Sequence, residues 1–324
     1  MQKKMIMGGL FGAMVALTAG ASQAWAETRV VLKSATSSSS YYVMMVQVAE
    51  ALQKASDGKI RATVEESQGS VQNLKEAAKR PGNFVFTTPP NLLQDALAGN
   101  KPFEGESGYD QVRALFVVPP ITVHFVVRED SGIDDITQLA GKTFIAGGKG
   151  TFCEGRTSKI FSILDIADKV KTVDSELAAA SNALRNRRID GYATCSSHPT
   201  PAVQELATSM SLKILPFTPE QLAKVVAEDP ASGPVTIDPG TYRGMDEPIQ
   251  TVGMPVGAFG TTRMDDDTAY AITKAFWEQR DQMAQSSPWW NAVKPELVAS
   301  LRAEIHPGAA RYYREIGVDL PAAN

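Results

Sequence analysis

The chain is poor in the residues that build metal and nucleophilic centres. Its 324 residues include three histidines and two cysteines, and no Cys or His pair has the spacing of a structural zinc site. The segment Gly147–Thr151 lacks the G-x-x-x-x-G-K-[ST] spacing, so nucleotide binding finds no support. Basic residues do not outnumber acidic ones: 32 Lys and Arg stand against 36 Asp and Glu, a formal charge of −4. That balance argues against nucleic acid or another polyanion as partner. Beyond the N-terminus no stretch approaches ~20 apolar residues, so no membrane-spanning helix is expected in the mature chain. Neither a cofactor nor a metal is expected. The run Asp265-Asp266-Asp267 reads as the start of a helix, where negative charge is favoured.

What is present begins with a targeting pattern. Lys3 and Lys4 precede Met5–Ala21, an uncharged and mostly apolar stretch, and Ala24-Trp25-Ala26 has the A-x-A form of a cleavage site. Cleavage is expected after Ala26, making residues 1–26 a signal peptide and taking the formal charge to −6. An uncleaved anchor is the alternative, but the stretch is short and glycine-rich for a span. The composition, 43% hydrophobic and 21% charged, is that of an ordinary globular protein. Its length suits two lobes with real cores.

Ile145–Arg156 reads as a strand, a glycine loop and a helix, with three glycines in Gly147-Gly148-Lys149-Gly150 and Thr151 opening the helix. Glycine lets backbone approach a ligand closely. The first N–H groups of a helix lack internal partners and favour anionic groups such as carboxylate or phosphate. A plain strand-to-helix turn is the alternative. Other stretches have the same build. The strand at Arg29–Lys33 runs into the polar Thr36–Tyr42 and a helix. The strand Ile60–Glu65 runs into Gln68-Gly69-Ser70 and a helix from Val71. The strand Asn83–Thr87 meets Thr88-Pro89-Pro90 and a short helix, and Ile189–Thr194 delivers Cys195-Ser196-Ser197-His198 before Pro201 opens another.

Between these units, Val112–Val118 reads as a strand ended by Pro119-Pro120, with a second strand from Ile121 to Arg128 holding His124. A strand at Val170–Val173 and a helix over Glu176–Asn186 follow, the latter ending in Arg185, Arg187 and Arg188, read as capping and solvated. Asp229–Pro248 is Pro/Gly-rich and reads mostly as loop. Gln250–Phe259 is an apolar return crossing, and helices are expected over Thr268–Glu278, Pro295–Ile305 and Pro307–Ile316. The alternation predicts an α/β protein with mostly parallel sheets, whose flagged loops all leave the carboxyl ends of strands, where such sheets bind ligands.

Cys153 and Cys195 survive processing. They read either as a disulfide or as two partly buried thiols. A secreted cysteine-dependent hydrolase or transferase is conceivable, with His124 or His198 as activator, but nothing fixes that geometry. His124, alone in an apolar strand, reads as a hydrogen-bonded core or cleft histidine.

Several stretches in this order resemble the TAXI family of TRAP-transporter solute-binding proteins. They are Thr36–Tyr42; Gln68–Leu74; His124–Arg128 with Ser131-Gly132-Ile133; Leu139–Lys142; Gly147–Thr157; Ile189–Gly191 through Pro201; Thr251–Pro255; and His306–Glu315. The resemblance implies a type II periplasmic binding-protein fold of two α/β lobes joined by crossing strands, with the ligand cleft between them. It implies lobe 1 from 27–123, lobe 2 from 124–253, and a return to lobe 1 with C-terminal helices over 254–324. It implies a periplasmic, non-catalytic and monomeric protein that hands a small organic acid to TRAP permease subunits. A periplasmic sensor for a membrane receptor is the other non-enzymatic reading.

The residues expected to hold the solute are Ser38, Ser39, Ser40 and Tyr41; Gln68, Gly69, Ser70 and Asn73; Thr88; His124; Gly150, Thr151, Phe152 and Cys153; and Thr194, Cys195 and Ser196. Three contact loops depart from the family's usual pattern, at Ser37–Ser40, Thr88-Pro89-Pro90 and Gly150–Cys153. Phe152 and the prolines point to a less polar pocket.

Overall fold

The computed structural model describes residues 27–80 and 82–321; the expected signal peptide lies outside them. The chain starts with β1 (Thr28–Lys33), α1 (Ser40–Ala55), β2 (Ile60–Glu65), α2 (Ser70–Ala77), β3 (Phe84–Thr88) and α3 (Pro90–Leu97). It then crosses on β4 (Val112–Arg128), a strand of 17 residues. Beyond it come β5 (Thr143–Ile145), α4 (Phe152–Ile163), β6 (Lys171–Thr172), α5 (Ala180–Arg185), β7 (Gly191–Ser196) and α6 (Pro201–Ser209). Next are β8 (Leu212–Ile214), α7 (Pro219–Glu228) and β9 (Gly233–Ile237). The chain returns on β10 (Ile249–Thr261) and finishes with α8 (Asp266–Ser286), two 3-10 segments and α9 (Pro307–Glu315).

The strands share one sheet in the order β2-β1-β3-β10-β4-β7-β5-β6, with β8 beside β4 and β9 beside β10. It is a mixed sheet, not a mostly parallel one. The crossing strands β4 and β10 run antiparallel to each other, β10 also to β3 and β9 and β4 also to β7 and β8, and the parallel pairings lie at the two outer ends. The apolar core divides where these strands cross. Ile121 and Met254 belong to the core beneath α1, α2, α8 and α9, whereas Val123 and Val252 belong to the core packed by α4 and α7. In β4 beyond that point, Val123, Phe125 and Val127 face one side of the sheet and Val126 the other, the two-residue alternation of a strand buried on both faces. Two α/β lobes result, with a cleft between them.

The two prolines do not end the strand. β4 runs through Pro119-Pro120, because two residues there stand opposite the single Pro255: Ile121 pairs with Met254, and Val118 with Val256. This is a bulge, where residues without an N–H cost no ladder bond. The carbonyls it exposes are taken up by side chains: Tyr41 Oη donates to Pro119 O at 2.7 Å and Ser197 Oγ to Pro120 O at 2.7 Å.

Other local expectations shift. The stretch 229–248 holds β9, antiparallel to β10. Helix α8 extends to Ser286, since Ala269, Ile272, Phe276 and Met283 keep the apolar stripe going beyond Glu278. The expected helix over 176–186 is a 3-10 turn followed by the short α5, and β6 has two exposed residues. Pro295–Leu301 is 3-10 rather than α. Helix α1 buries Tyr41, Met44, Met45, Val48 and Leu52; burying a Met or Leu side chain stabilises by about 1.5–3 kcal/mol each.

Candidate functional site

A cavity of about 260 Å3 opens between the lobes. Its walls come from the carboxyl ends of β1, β3 and β7, from the loops after β2 and β5, and from α5 and α6. The N-termini of α1, α2, α4 and α6 converge on it.

These ends differ in how many donors remain free. In α1, Ser39 Oγ accepts from Tyr41 N, and Ser40 N donates to Ser196 Oγ. In α6, Pro201 has no N–H, and Ala202 N donates to Ser38 O. Helix α2 is different: its N-cap is Gly69, at φ 101°, with no side-chain cap. Glycine has no side chain to take up the first-turn N–H groups, and Gln68, Gly69 and Ser70 at this end line the cavity. In α4, Thr151 Oγ1 caps Glu154 N, leaving Phe152 N and Cys153 N as the orphan donors of the first turn. Helix α2 packs in one lobe and α4 in the other.

A disulfide joins Cys153 at the start of α4 to Cys195 at the end of β7, with Cα atoms 5.4 Å apart. It settles which of the two cysteine readings holds, and no free cysteine remains among the described residues. A thiolate nucleophile is thereby removed. The bond also explains Gly147: a Cβ there would lie 2.6 Å from Cys153 Sγ, and its φ is 113°.

The residues named from the sequence divide. Ser38, Ser39, Tyr41, Gln68, Gly69, Ser70, Thr151, Phe152, Cys153, Thr194 and Cys195 line the cavity. Six do not. Ser40 and Ser196 are buried against each other, Oγ to Oγ at 2.6 Å, and Ser40 Oγ also reaches Ser197 O at 3.0 Å. Asn73 is buried and its Nδ2 donates to Ser34 O at 2.7 Å and Thr87 O at 3.0 Å, so it ties together the strand ends beneath the cavity. Thr88 is buried under the start of α3, with its hydroxyl on Pro89 O. Gly150 is exposed and donates to Glu154 Oε2.

His124 is fully buried behind the cavity wall. Its Nε2 meets Tyr242 Oη at 2.8 Å and its Nδ1 meets Thr122 O at 3.1 Å. Because a carbonyl can only accept, Nδ1 carries the proton and Nε2 accepts from the tyrosine, which in turn accepts from Thr200 N at 2.9 Å. Burial, with the nearby His198 second, holds its pKa down to about 3, so the ring is neutral. Through Tyr242 it holds Thr200, the N-cap of α6, and it is not among the residues that line the cavity.

Residues 32–317 match the NMT1-like family. The chain belongs to that family. Its fold is that of periplasmic solute-binding proteins. The periplasmic binding protein BugD superposes with a TM-score of 0.57 at 14% identity, over 91% of this chain and 98% of that one. MatC from Rhodopseudomonas palustris, solved with bound malate, gives 0.54 at 13% identity, over 89% and 96%. A protein from Bordetella bronchiseptica RB50 gives 0.53 at 16% identity, over 89% and 82%.

In this NMT1-like chain, much of the cavity's far wall had no signal in the sequence. Leu177, Ser181, Asn182 and Arg185 come from α5 and the turn before it, and Ala202, Glu205 and Leu206 from α6. Such residues meet only because two short helices pack side by side on β7. Arg185, expected to cap its helix, bonds the side-chain atoms Asn182 Oδ1 and Ser209 Oγ and also lines the cavity. Arg185 and Glu205 are the only charged side chains among the described lining residues, and both are exposed.

Proposed function

We propose that the protein is a periplasmic solute-binding protein that captures a small carboxylate-bearing solute and delivers it to a membrane permease. The observation that carries this reading is the pair of helix ends described above. The uncapped N-terminus of α2 and the free first-turn donors of α4 open from opposite lobes into one cavity. Backbone N–H groups and the helix dipole favour an anion there. An anion held by both ends binds the closed form more tightly than the open one, and so shifts the lobes towards closure. Phe152, on α4, already packs against the core of the opposite lobe.

The resemblance to the TAXI family supports a TRAP permease as the partner, and malate in MatC supports a small organic acid. Signal-peptide cleavage after Ala26, a monomer, and lobes at 27–123, 124–253 and 254–324 belong to the same proposal. The bridged cysteines and the binding-protein fold support a role without catalysis.

The test is a thermal-shift screen of residues 27–324 against monocarboxylates, dicarboxylates, 2-oxo acids, amino acids and sulfonates. A ligand at 100 times its Kd adds about 2.7 kcal/mol of stability. Stabilisation confined to carboxylates supports the reading. No response from any acid, before and after unfolding and refolding to strip retained solute, sinks it.

A further inference from the structure

The cavity has a second end. On the side away from α2, its wall is built by Tyr192 of β7 and by Ser181 and Asn182 of α5. Tyr192 is 1% exposed, yet its hydroxyl has no hydrogen-bond partner. Ser181, a polar neighbour on the same wall, comes near enough to lower the tyrosine's pKa against the larger rise from burial, but the two hydroxyls fall short of full hydrogen-bond geometry. A buried hydroxyl without a partner is costly, and native proteins carry few. Tyr242, the other buried tyrosine of this core, has its hydroxyl fully used by His124 and Thr200.

We infer that Tyr192, with Ser181 and Asn182 beside it, receives a second, uncharged hydrogen-bonding group at the far end of the solute. This rests on the anion-anchoring reading above and narrows it to acids with a remote hydroxyl or carboxamide. Charge decides against a second carboxylate. Among the described lining residues no cation is buried at this end: Arg185 reaches Asn182 Oδ1 at 3.1 Å but from an exposed position, and a buried ion without a buried partner is costly. Arg185 is exposed, and Glu205 of opposite sign shares its rim. Burial pushes the Tyr192 pKa up to about 12, so the hydroxyl stays protonated and both donates and accepts.

The test uses straight-chain acids of four to six carbons ending in methyl, hydroxyl, carboxamide or carboxylate, titrated calorimetrically into the wild type, Tyr192→Phe and Ser181→Ala. The hydroxyl or carboxamide acid should bind the wild type about 3- to 10-fold more tightly than the methyl acid, the yield of one hydrogen bond. Tyr192→Phe should abolish that preference while keeping the wild-type affinity for the methyl acid. Ser181→Ala, which leaves the ring in place, should reduce the preference. A preference unchanged in both variants overturns the inference and leaves the anion anchor standing, as does tightest binding by the dicarboxylate. If no acid binds the wild type, the anchor reading fails and this inference with it.

Discussion

Ser40 and Ser196, 156 residues apart, place their hydroxyl oxygens 2.6 Å from each other in the interior between the lobes. The directions are consistent throughout: Ser40 Oγ donates to Ser197 O, Ser196 Oγ donates to Ser40 Oγ, and Ser196 Oγ accepts from Ser40 N and Ser39 Oγ. The link ties the start of α1 to the end of β7.

Ser196→Ala should therefore act on stability before it acts on affinity. It leaves Ser40 N and the Ser39 hydroxyl short of an acceptor at a buried site, at a cost of about 1–3 kcal/mol. Urea denaturation would measure it. A midpoint equal to wild type would mean that water replaces the serine without loss.

The disulfide closes a segment of 42 residues. Chain-entropy arguments give about 4 kcal/mol for a loop of that length, at the upper end of what disulfides deliver. Melting with and without a thiol reductant, and of Cys153→Ser/Cys195→Ser, should show this loss. Solute binding should weaken as well, because Cys153 fixes the first turn of α4. Retained affinity in the reduced protein would separate the bridge from the site.

The pH dependence of binding should be simple. The described lining residues include no histidine, and burial raises the pKa values of Tyr41 and Tyr192. An acid held on backbone N–H groups should bind with constant affinity from pH 6 to 9. Affinity should fall about tenfold per unit only below the acid's own pKa, near ~4. A step near pH 6.5 in the titration would implicate a histidine instead.

Stability should depend on pH in a range where carboxylates are silent. His124 is held down to about 3 by burial, and burial also lowers His198 and His306. The unfolded chain thus binds protons below about 6.5 that the folded chain refuses. The contribution is fully present above pH 6.5 and is lost as pH falls towards 3. Each such histidine adds a slope of up to about 1.4 kcal/mol per pH unit. Urea midpoints between pH 7 and 5 should fall accordingly, and His124→Gln should have a lower midpoint but a shallower slope.

The parts of the site legible in the sequence were those with local causes. Thr151 marks a helix start through capping chemistry that operates within a few residues. Ser40 and Ser196 read as loop hydroxyls from the sequence, yet Ser40 opens α1 and Ser196 closes β7, and nothing local says that they face each other. Asn73 likewise spends its side-chain N–H groups on backbone carbonyls, and His124 its ring nitrogens on a backbone carbonyl and a tyrosine. Tyr192 sits at a buried strand position that looks like ordinary core, and its unpaired hydroxyl exists only once α5 packs over it. The strand β9 was hidden by prolines and glycines that its edge position tolerates. The break at Pro119-Pro120 was a fair inference for a lone strand; only the partner residue Pro255 turns it into a bulge.

That bulge bears on how the molecule opens. Pro119, Pro120 and Pro255 bring no amide hydrogen to the one level where the apolar core divides. A two-stranded ribbon with its rungs missing at a single height has a crease there and stiff panels to either side. The cleft should swing about that crease like a book on its spine, with little twist between the covers. Tyr41, on the cavity wall, grips the spine through Pro119 O, giving an occupied site a direct hold on the fold line. Amide exchange should show the crease as faster exchange at Ile121 and Val256 than at Val117 and Val123, and slower exchange at both once solute is bound.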